Sequence, residues 1–398
     1  MCLAAHRSAA GARRGVELAD IFIAHGAEYR RDHQLPLHEA RVMDAIEACR
    51  TERLGGHRES CERCGFERFA YNSCRNRHCP KCQSLARAKW LHERQAELLP
   101  VPCFHVVFTL PHELNGLVLA NKRPLLNLLF HAGARTLLQF GHNNLGGTLG
   151  FTMILHTWDQ LLRPHFHLHC LVPAGALAAD GDRWIHGDPT FLFPVRALAK
   201  VFRGKFLDGL RTLWGRGRLV SGTQELDPLC AALRAKPWVV YAKQPFAGPQ
   251  QVLDYLGRYT HRIAISNERI LDLRDGTVSF AYRDRAAGDV RRTATLPADR
   301  FIGRFLRHVL PRGFVRIRHF GYLANRCKLE TLARCRQLLD SPPPTPEEPM
   351  TSVEWVFLLT GKDLTRCPRC GHRPLTRTEL QAVPCGRPRA PPRTVSHP

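Results

Sequence analysis

What this chain lacks narrows its chemistry first. It has no glycine-rich phosphate loop, so neither a nucleotide cofactor nor nucleotide-driven phosphoryl chemistry is expected. No apolar run approaches the roughly 20 residues needed to cross a bilayer, so no membrane partner is expected either. The opening MCLAAHRSAAGARRG has neither an apolar h-region nor a cleavage site, and Glu17 and Asp20 soon follow its arginines; the sequence therefore predicts no secretion signal and no transit peptide. Internal repeats of the roughly 20–50-residue kind are missing. Acidic residues are the scarce class: 35 Asp plus Glu stand against 58 Lys plus Arg, leaving a net charge of +23. Such a field favours polyanions, nucleic acid above all.

The rest of the composition is globular. With 398 residues, 44% hydrophobic and 23% charged, the chain is long enough for two or three domains with cores of their own. Its 15 cysteines, without a secretion signal, point to metal binding rather than disulfides. Nine fall in two groups, Cys49 with Cys61, Cys64, Cys74, Cys79 and Cys82, then Cys367, Cys370 and Cys385. Cys2, Cys103, Cys170, Cys230, Cys327 and Cys335 are scattered and read as small apolar side chains.

Along the chain, residues 1–15 are expected to be loose, and 16–49 helical, with Leu18, Ile21, Phe22, Val42 and Ile46 facing inward. The cysteine module and a charged helix complete a zinc-binding, DNA-binding region over 16–99, closed by Pro100 and Pro102. Region 100–338 offers strand-like runs at 104–110, 151–158, 167–175 and 238–243, leucine-rich helices at 116–140, and a helix opened by Pro249. RILDLRDGTVSFAYRD predicts a hairpin around its D-G pair, and LPADRFIGRFLRHVLP an amphipathic helix. SPPPTPEEP marks a linker at 339–352, and 353–398 forms a tail.

Two CxxC pairs, Cys61/Cys64 and Cys79/Cys82, are separated by fourteen residues, a spacing that matches a zinc ribbon. Cys49, His57, Cys74 and His78 are candidates for a second ion, and Cys367 and Cys370 with His372 or Cys385 for a third in the tail. Such zinc supplies folding free energy rather than chemistry. Around the module, Arg75, Asn76, Arg77, Lys81, Arg87 and Lys89 are candidate phosphate donors.

HFHLH at 165–169 carries the second signal. Residues two apart in a strand share a face, so His167 and His169 present two imidazoles together while Leu168 points into the core. Paired imidazoles suit a divalent ion with open positions. His156 in the preceding strand is the first choice for a third ligand, with Asp159 and Gln160 as alternatives. Downstream, Tyr255 and Tyr259 in YLGRYTHR lie one helical turn apart, which puts their side chains on one face about 6 Å apart. Deprotonating a tyrosine at pH 7 costs about 4 kcal/mol. A metal on the phosphate, with Arg258 and Arg262 nearby, reduces how much of that is required.

FTL at 108–110, HLH at 167–169 and the YxxxY of 255–259 together resemble the HUH endonucleases of rolling-circle replication. With SCRNRHCPKCQ, FTLPHEL, HCLVPAGAL and WVVYAKQPF, the chain from about 15 to 338 resembles insertion-sequence transposases of the IS91 type. The resemblance implies an α+β fold, with a ferredoxin-like antiparallel-sheet nuclease core behind an N-terminal zinc-binding module. It implies structural Zn²⁺, a catalytic Mg²⁺ or Mn²⁺ on His167 and His169, and nicking of single-stranded DNA by Tyr255 and Tyr259 through 5′-phosphotyrosine intermediates. DNA at element ends and targets would be the partner, with the host replication machinery, in the bacterial cytoplasm at the nucleoid. Two other readings stay open: a plasmid or phage replication initiator with the same chemistry, and a non-catalytic zinc-dependent DNA-binding protein.

Overall fold

The computed structural model describes residues 15–220, 225–246, 251–252, 257, 264–284, 287–344 and 348–383. At the N-terminus, α1 (Leu18–Asp32) and α2 (Leu37–Ala48) lead into a hairpin, β1 (Gly56–Ser60) and β2 (Glu67–Tyr71), then α3 (Gln83–Gln95). The central region runs β3 (Cys103–Thr109), α4 (Asn115–Ala120), α5 (Lys122–Leu145), β4 (Gly147–Thr148), β5 (Gly150–Trp158), β6 (Pro164–Pro173), β7 (Gly175–Ala178), β8 (Trp184–His186), α6 (Val195–Gly215), α7 (Leu226–Ala235) and β9 (Val240–Phe246). Then come β10 (Ile270–Arg274), β11 (Thr277–Asp284), β12 (Val290–Pro297), α8 (Ala298–Leu306), β13 (Ile317–Gly321) and α9 (Lys328–Leu338). The tail adds α10 (Ser352–Thr360) and β14 (Thr376–Leu380).

The central sheet has the order β13-β5-β6-β3-β9, with every neighbouring pair antiparallel. Its last four strands follow a β-α-β-β-α-β path, so the fold is α+β with the strand order of a ferredoxin-like sheet, extended by β13 at one edge. Alternation divides the sheet's faces. Phe104, Val106 and Phe108 of β3, Met153 and Leu155 of β5, and Phe166 and Leu168 of β6 are almost wholly buried in one core with α5 and α6. Phe202 of α6 packs on Phe108 at 4.9 Å and edge-on against Trp238 at 5.4 Å between ring centroids. Each such ring contributes about 1.5–3 kcal/mol by leaving water, and together they hold the helices on this face; the other face is covered in part by Trp90, Leu91, Leu98 and Val252, which pack on Cys103, Ile154 and Leu171.

The N-terminal helices do not close a core with the cysteine module alone. Leu18, Ile21, Phe22, Val42 and Ile46 are buried as their helical spacing predicts, but against α8 and the separate sheet β10-β11-β12. Phe22 meets Phe305 edge-on at 5.6 Å, and Phe280 meets Phe301 at 5.7 Å. Asp275 and Gly276 make the β10–β11 turn, both with positive φ, as the D-G signal implies. Residues near the start of the chain thus share a core with residues near 300. Among the described residues no helix is long and apolar enough to cross a membrane. Of the helix expected after Pro249, only 251–252 and Gly257 lie within the described residues, and Val252 is buried beside Cys103, Ile154 and Leu171.

Candidate active site and cysteine clusters

On the face of the central sheet opposite α5 and α6, the antiparallel register sets His156 of β5 opposite His167 of β6. His169 lies one step along the same face, and the ligand nitrogens of the three histidines all fall within 4.8 Å of one another. His167 and His169 bring their Nε2 atoms to 3.0 Å. His167 Nδ1 lies 3.0 Å from the His165 carbonyl and donates to it, which leaves Nε2 as the lone-pair nitrogen. His156 stacks on Trp158, with ring centroids 5.0 Å apart and planes 17° apart. Asp159, an alternative third ligand on sequence grounds, instead caps the β5–β6 turn, accepting from the Leu161 and Arg163 amides at 2.9 and 2.8 Å and from Arg163 Nε at 2.7 Å. Gln160 follows it in the turn and lines the cleft.

Sequence reasoning missed His105. It sits on β3 with its Nε2 2.9 Å from His169 Nδ1. Burial, assisted by the charge of Lys243, pushes its pKa down to about 4, so at neutral pH it is an uncharged imidazole able to accept the His169 Nδ1 proton. His169 then offers Nε2, like His167. The available signal was alternation: His105, Val107 and Thr109 share the sheet face of the histidine pair, and Val107 and Thr109 are directly opposite His169 and His167.

The cluster floors a cleft of about 940 Å³. Arg87, Arg163, Lys243 and Arg283 line it with positive charge, and Trp158, Tyr241 and Tyr282 supply aromatic faces. Tyr241 is 54% exposed. Gly257 also lines the cleft, and its carbonyl accepts from Arg87 at 3.4 Å. Tyr255, Tyr259, Arg258 and Arg262 lie outside the described residues.

The zinc expectation needs correction in its partners. Cys61 and Cys64 do not share a site with Cys79 and Cys82. Cys79 and Cys82 instead join Cys49 and Cys74 in one four-thiol cluster, and Cys61 and Cys64 join Cys367 and Cys370 in another. The reason is the β1–β2 hairpin. It carries the first CxxC away from the second, while Cys49 at the end of α2 and Cys74 after β2 return beside the Cys79–Cys82 turn. Cys82 Sγ lies 3.5 Å from Cys49 Sγ and 3.6 Å from Cys74 Sγ. His57 is no ligand here: its Nε2 pairs with Glu59 at 3.2 Å. His78 points the other way, accepting from the Leu310 amide at 3.5 Å, and burial holds its pKa well down. Cys385 lies outside the described residues. His372 contributes its carbonyl, which accepts from the Cys367 amide at 2.9 Å.

The candidate phosphate donors separate by surroundings. Arg77 is directed inward and donates to the carbonyls of Phe314 and Pro311, joining the cysteine module to the central region. Lys81 is ion-paired with Glu17. Lys89 is half-buried, whereas Arg75 and Arg87 are exposed.

Two family matches cover this architecture: residues 21–110 match the family described as "Transposase zinc-binding domain" and residues 150–330 the one described as "Putative transposase". The chain is 47% identical over 392 residues to "Putative transposase y4qJ" of Sinorhizobium fredii, spanning 95% of this chain and 98% of that one. It is 28% identical over 352 residues to "Transposase for insertion sequence element IS801" of Pseudomonas savastanoi pv. phaseolicola, spanning 84% of this chain and 82% of that one. No solved structure matches it. The chain belongs to the IS91-type transposases, DNA-acting proteins with an N-terminal zinc-binding domain.

Proposed function

We propose that this transposase nicks and rejoins single-stranded DNA through 5′-phosphotyrosine intermediates in rolling-circle transposition. Tyr255 and Tyr259 are its nucleophiles, and His156, His167 and His169 hold a catalytic Mg²⁺ or Mn²⁺. The observation that carries the reading is the convergence of three imidazole nitrogens on the floor of a basic, aromatic-lined cleft. Neutral nitrogens from three protein side chains fit a divalent ion and leave positions open for phosphate oxygens. When bound, that ion would polarise the scissile phosphate.

The protein's own groups do the rest. His105 and the His165 carbonyl orient two of the ligands. Lys243 and Arg87 draw in the backbone, and Trp158, Tyr241 and Tyr282 offer faces on which unpaired bases stack, each worth about 1–3 kcal/mol. A tyrosine oxygen attacks phosphorus, the bond to the 3′ oxygen breaks, and that oxygen leaves as a 3′-hydroxyl after taking a proton. Arg258 and Arg262 stabilise the charge on phenolate and phosphate. The second tyrosine handles the target strand, and each phosphotyrosine bond conserves the energy of the one it replaces, so no nucleotide is needed. Host polymerase extends the free 3′-hydroxyl. Gly257, between the two tyrosines in sequence, lines this cleft, which supports the assignment. One zinc on Cys49, Cys74, Cys79 and Cys82 holds the N-terminal module, which presents Arg75 and Arg87 to DNA.

Single-stranded oligonucleotides bearing an element end, incubated with Mn²⁺ and labelled at the 3′ end, should form a protein adduct that survives denaturing electrophoresis. The 5′-labelled product should instead be free and end in a hydroxyl. An adduct that persists in Tyr255→Phe/Tyr259→Phe, or an absence of any cleavage by the parent protein, would sink the reading.

A further inference from the structure

Two thiols of the N-terminal module face two thiols from the far end of the chain. Cys61 Sγ lies 3.6 Å from Cys370 Sγ and Cys64 Sγ 3.5 Å from Cys367 Sγ. All four sulfurs fall within 4.8 Å of one another, and all four are free thiols. A zinc with Zn–S bonds of about 2.3 Å sets its four sulfurs about 3.8 Å apart along the edges of a tetrahedron. The observed spacing is close to that edge length.

The backbone reaches the same juxtaposition independently. β14 pairs with β1 along its whole length, from Ser60↔Thr376 to Gly56↔Leu380, so the tail supplies an outer strand of the N-terminal sheet. Past the strand, the Val383 amide donates to the Glu52 carbonyl at 3.1 Å. Gly55 has φ +64°, and a Cβ there would lie 2.6 Å from the Leu380 carbonyl oxygen, so this position suits a docked tail. Glu59 is only 1% exposed and needs compensating charge. Arg68 of β2 supplies part of it and Arg377 of the tail more, at 3.0 Å, beside the His57 contact. Trp355 of α10 packs edge-on against His92 of α3 at 5.1 Å, and the same helix carries Arg87 to the cleft.

We propose that Cys61, Cys64, Cys367 and Cys370 form a second zinc site built half from each end of the chain, and that this ion clasps the C-terminal segment onto the N-terminal module. Each thiol binds as the thiolate and releases its proton to solvent, with no change of oxidation state. The tail is then a structural layer of the DNA-binding module rather than a free knuckle. It covers the buried face of Glu59 and braces α3, one wall of the cleft.

The test uses the full chain with a site-specific protease sequence inserted between Pro342 and Pro344. Elemental analysis should give two zinc ions per chain. After cleavage the C-terminal fragment should co-elute with the body on size exclusion, and stripping zinc with a strong chelator should release it. Cys367→Ser/Cys370→Ser should bind one zinc per chain and lose the fragment on cleavage. Cys79→Ser, which disrupts the other cluster, should also fall to one zinc but keep the fragment. Cobalt in place of zinc gives a second readout, since the four-sulfur absorption per chain should halve in either variant. Two zincs retained by Cys367→Ser/Cys370→Ser would overturn the proposal, as would a cleaved fragment that leaves a parent protein still holding both ions. Should the double variant fail to fold, the cleaved parent decides: a fragment that stays bound after both ions are removed refutes the clasp.

Discussion

Replacing His105 with alanine tests how the histidine cluster is tuned. His105 is 5% exposed, and its Nε2 lies 2.9 Å from His169 Nδ1. In His105→Ala the His169 Nδ1 proton loses its acceptor in a poorly hydrated position, and the ring is free to turn its Nε2 away from that of His167. Loss of such an orienting partner weakens metal affinity about 10–100-fold, which is about 1.4–2.8 kcal/mol. Manganese binding to the folded variant, followed by electron paramagnetic resonance or calorimetry, should show that shift. Nicking should move to higher Mn²⁺ by the same factor and recover at saturation, because no reacting group has been removed. His105→Gln retains an oxygen acceptor at similar reach and should restore most of the affinity. Unchanged Mn²⁺ binding in the alanine variant, or a glutamine variant no better than alanine, would show that His105 does not orient His169.

Gly321→Ala should be among the most damaging single substitutions, since φ is +62° and the new Cβ would lie 1.5 Å from the Leu149 carbonyl oxygen; a loss above about 4 kcal/mol should appear as a collapse of soluble yield or of the melting temperature. Acid should destabilise the fold between pH 6.5 and about 4 through His308, whose pKa burial lowers to about 4. In that window the unfolded chain binds the extra proton, so stability rises with pH by up to about 3 kcal/mol from this one group. Urea melts at pH 7, 5.5 and 4 check this, and flat stability across the series would refute it. Arg77→Ala should lower the melting temperature while leaving the salt dependence of DNA binding unchanged, because its guanidinium bonds backbone carbonyls. Arg87→Ala should do the opposite, weakening binding to all sequences and reducing the salt slope by about 1.

Alternation made the central sheet legible: runs such as FHVVFTL and HFHLHCLVP give one apolar face to α5 and α6 and reserve the other for histidine. Local periodicity also identified the inward faces of α1 and α2, because spacing alone selects which side of a helix is apolar. It could not reveal what covers those faces, since α8 and the β10-β11-β12 sheet come more than two hundred residues later. The cysteine partition was illegible for a related reason. Two CxxC turns at ribbon spacing look self-sufficient, and nothing local says that a hairpin sends them to different ions. His105 was hidden as a single imidazole in a strand whose neighbours drew attention as core. Asp159 carries a carboxylate of the kind that ligates metals, yet its place three residues before a left-handed Leu162 suits the turn-capping role it performs.

The pairing of β1 with β14 also orders events during synthesis. Cys64 and Cys367 are 303 positions apart, so at about 5–20 residues per second the first pair leaves the ribosome on the order of 15–60 s before its counterpart. Throughout that interval Glu59 waits without Arg377 and one edge of the hairpin is open. A chain that stops early can build the central sheet and the histidine cluster, yet it cannot finish its own DNA-binding module. Completion of the module therefore waits on β14: chains that stop before Thr376–Leu380 lack the strand that pairs with Gly56–Ser60 and are left with an unfinished one.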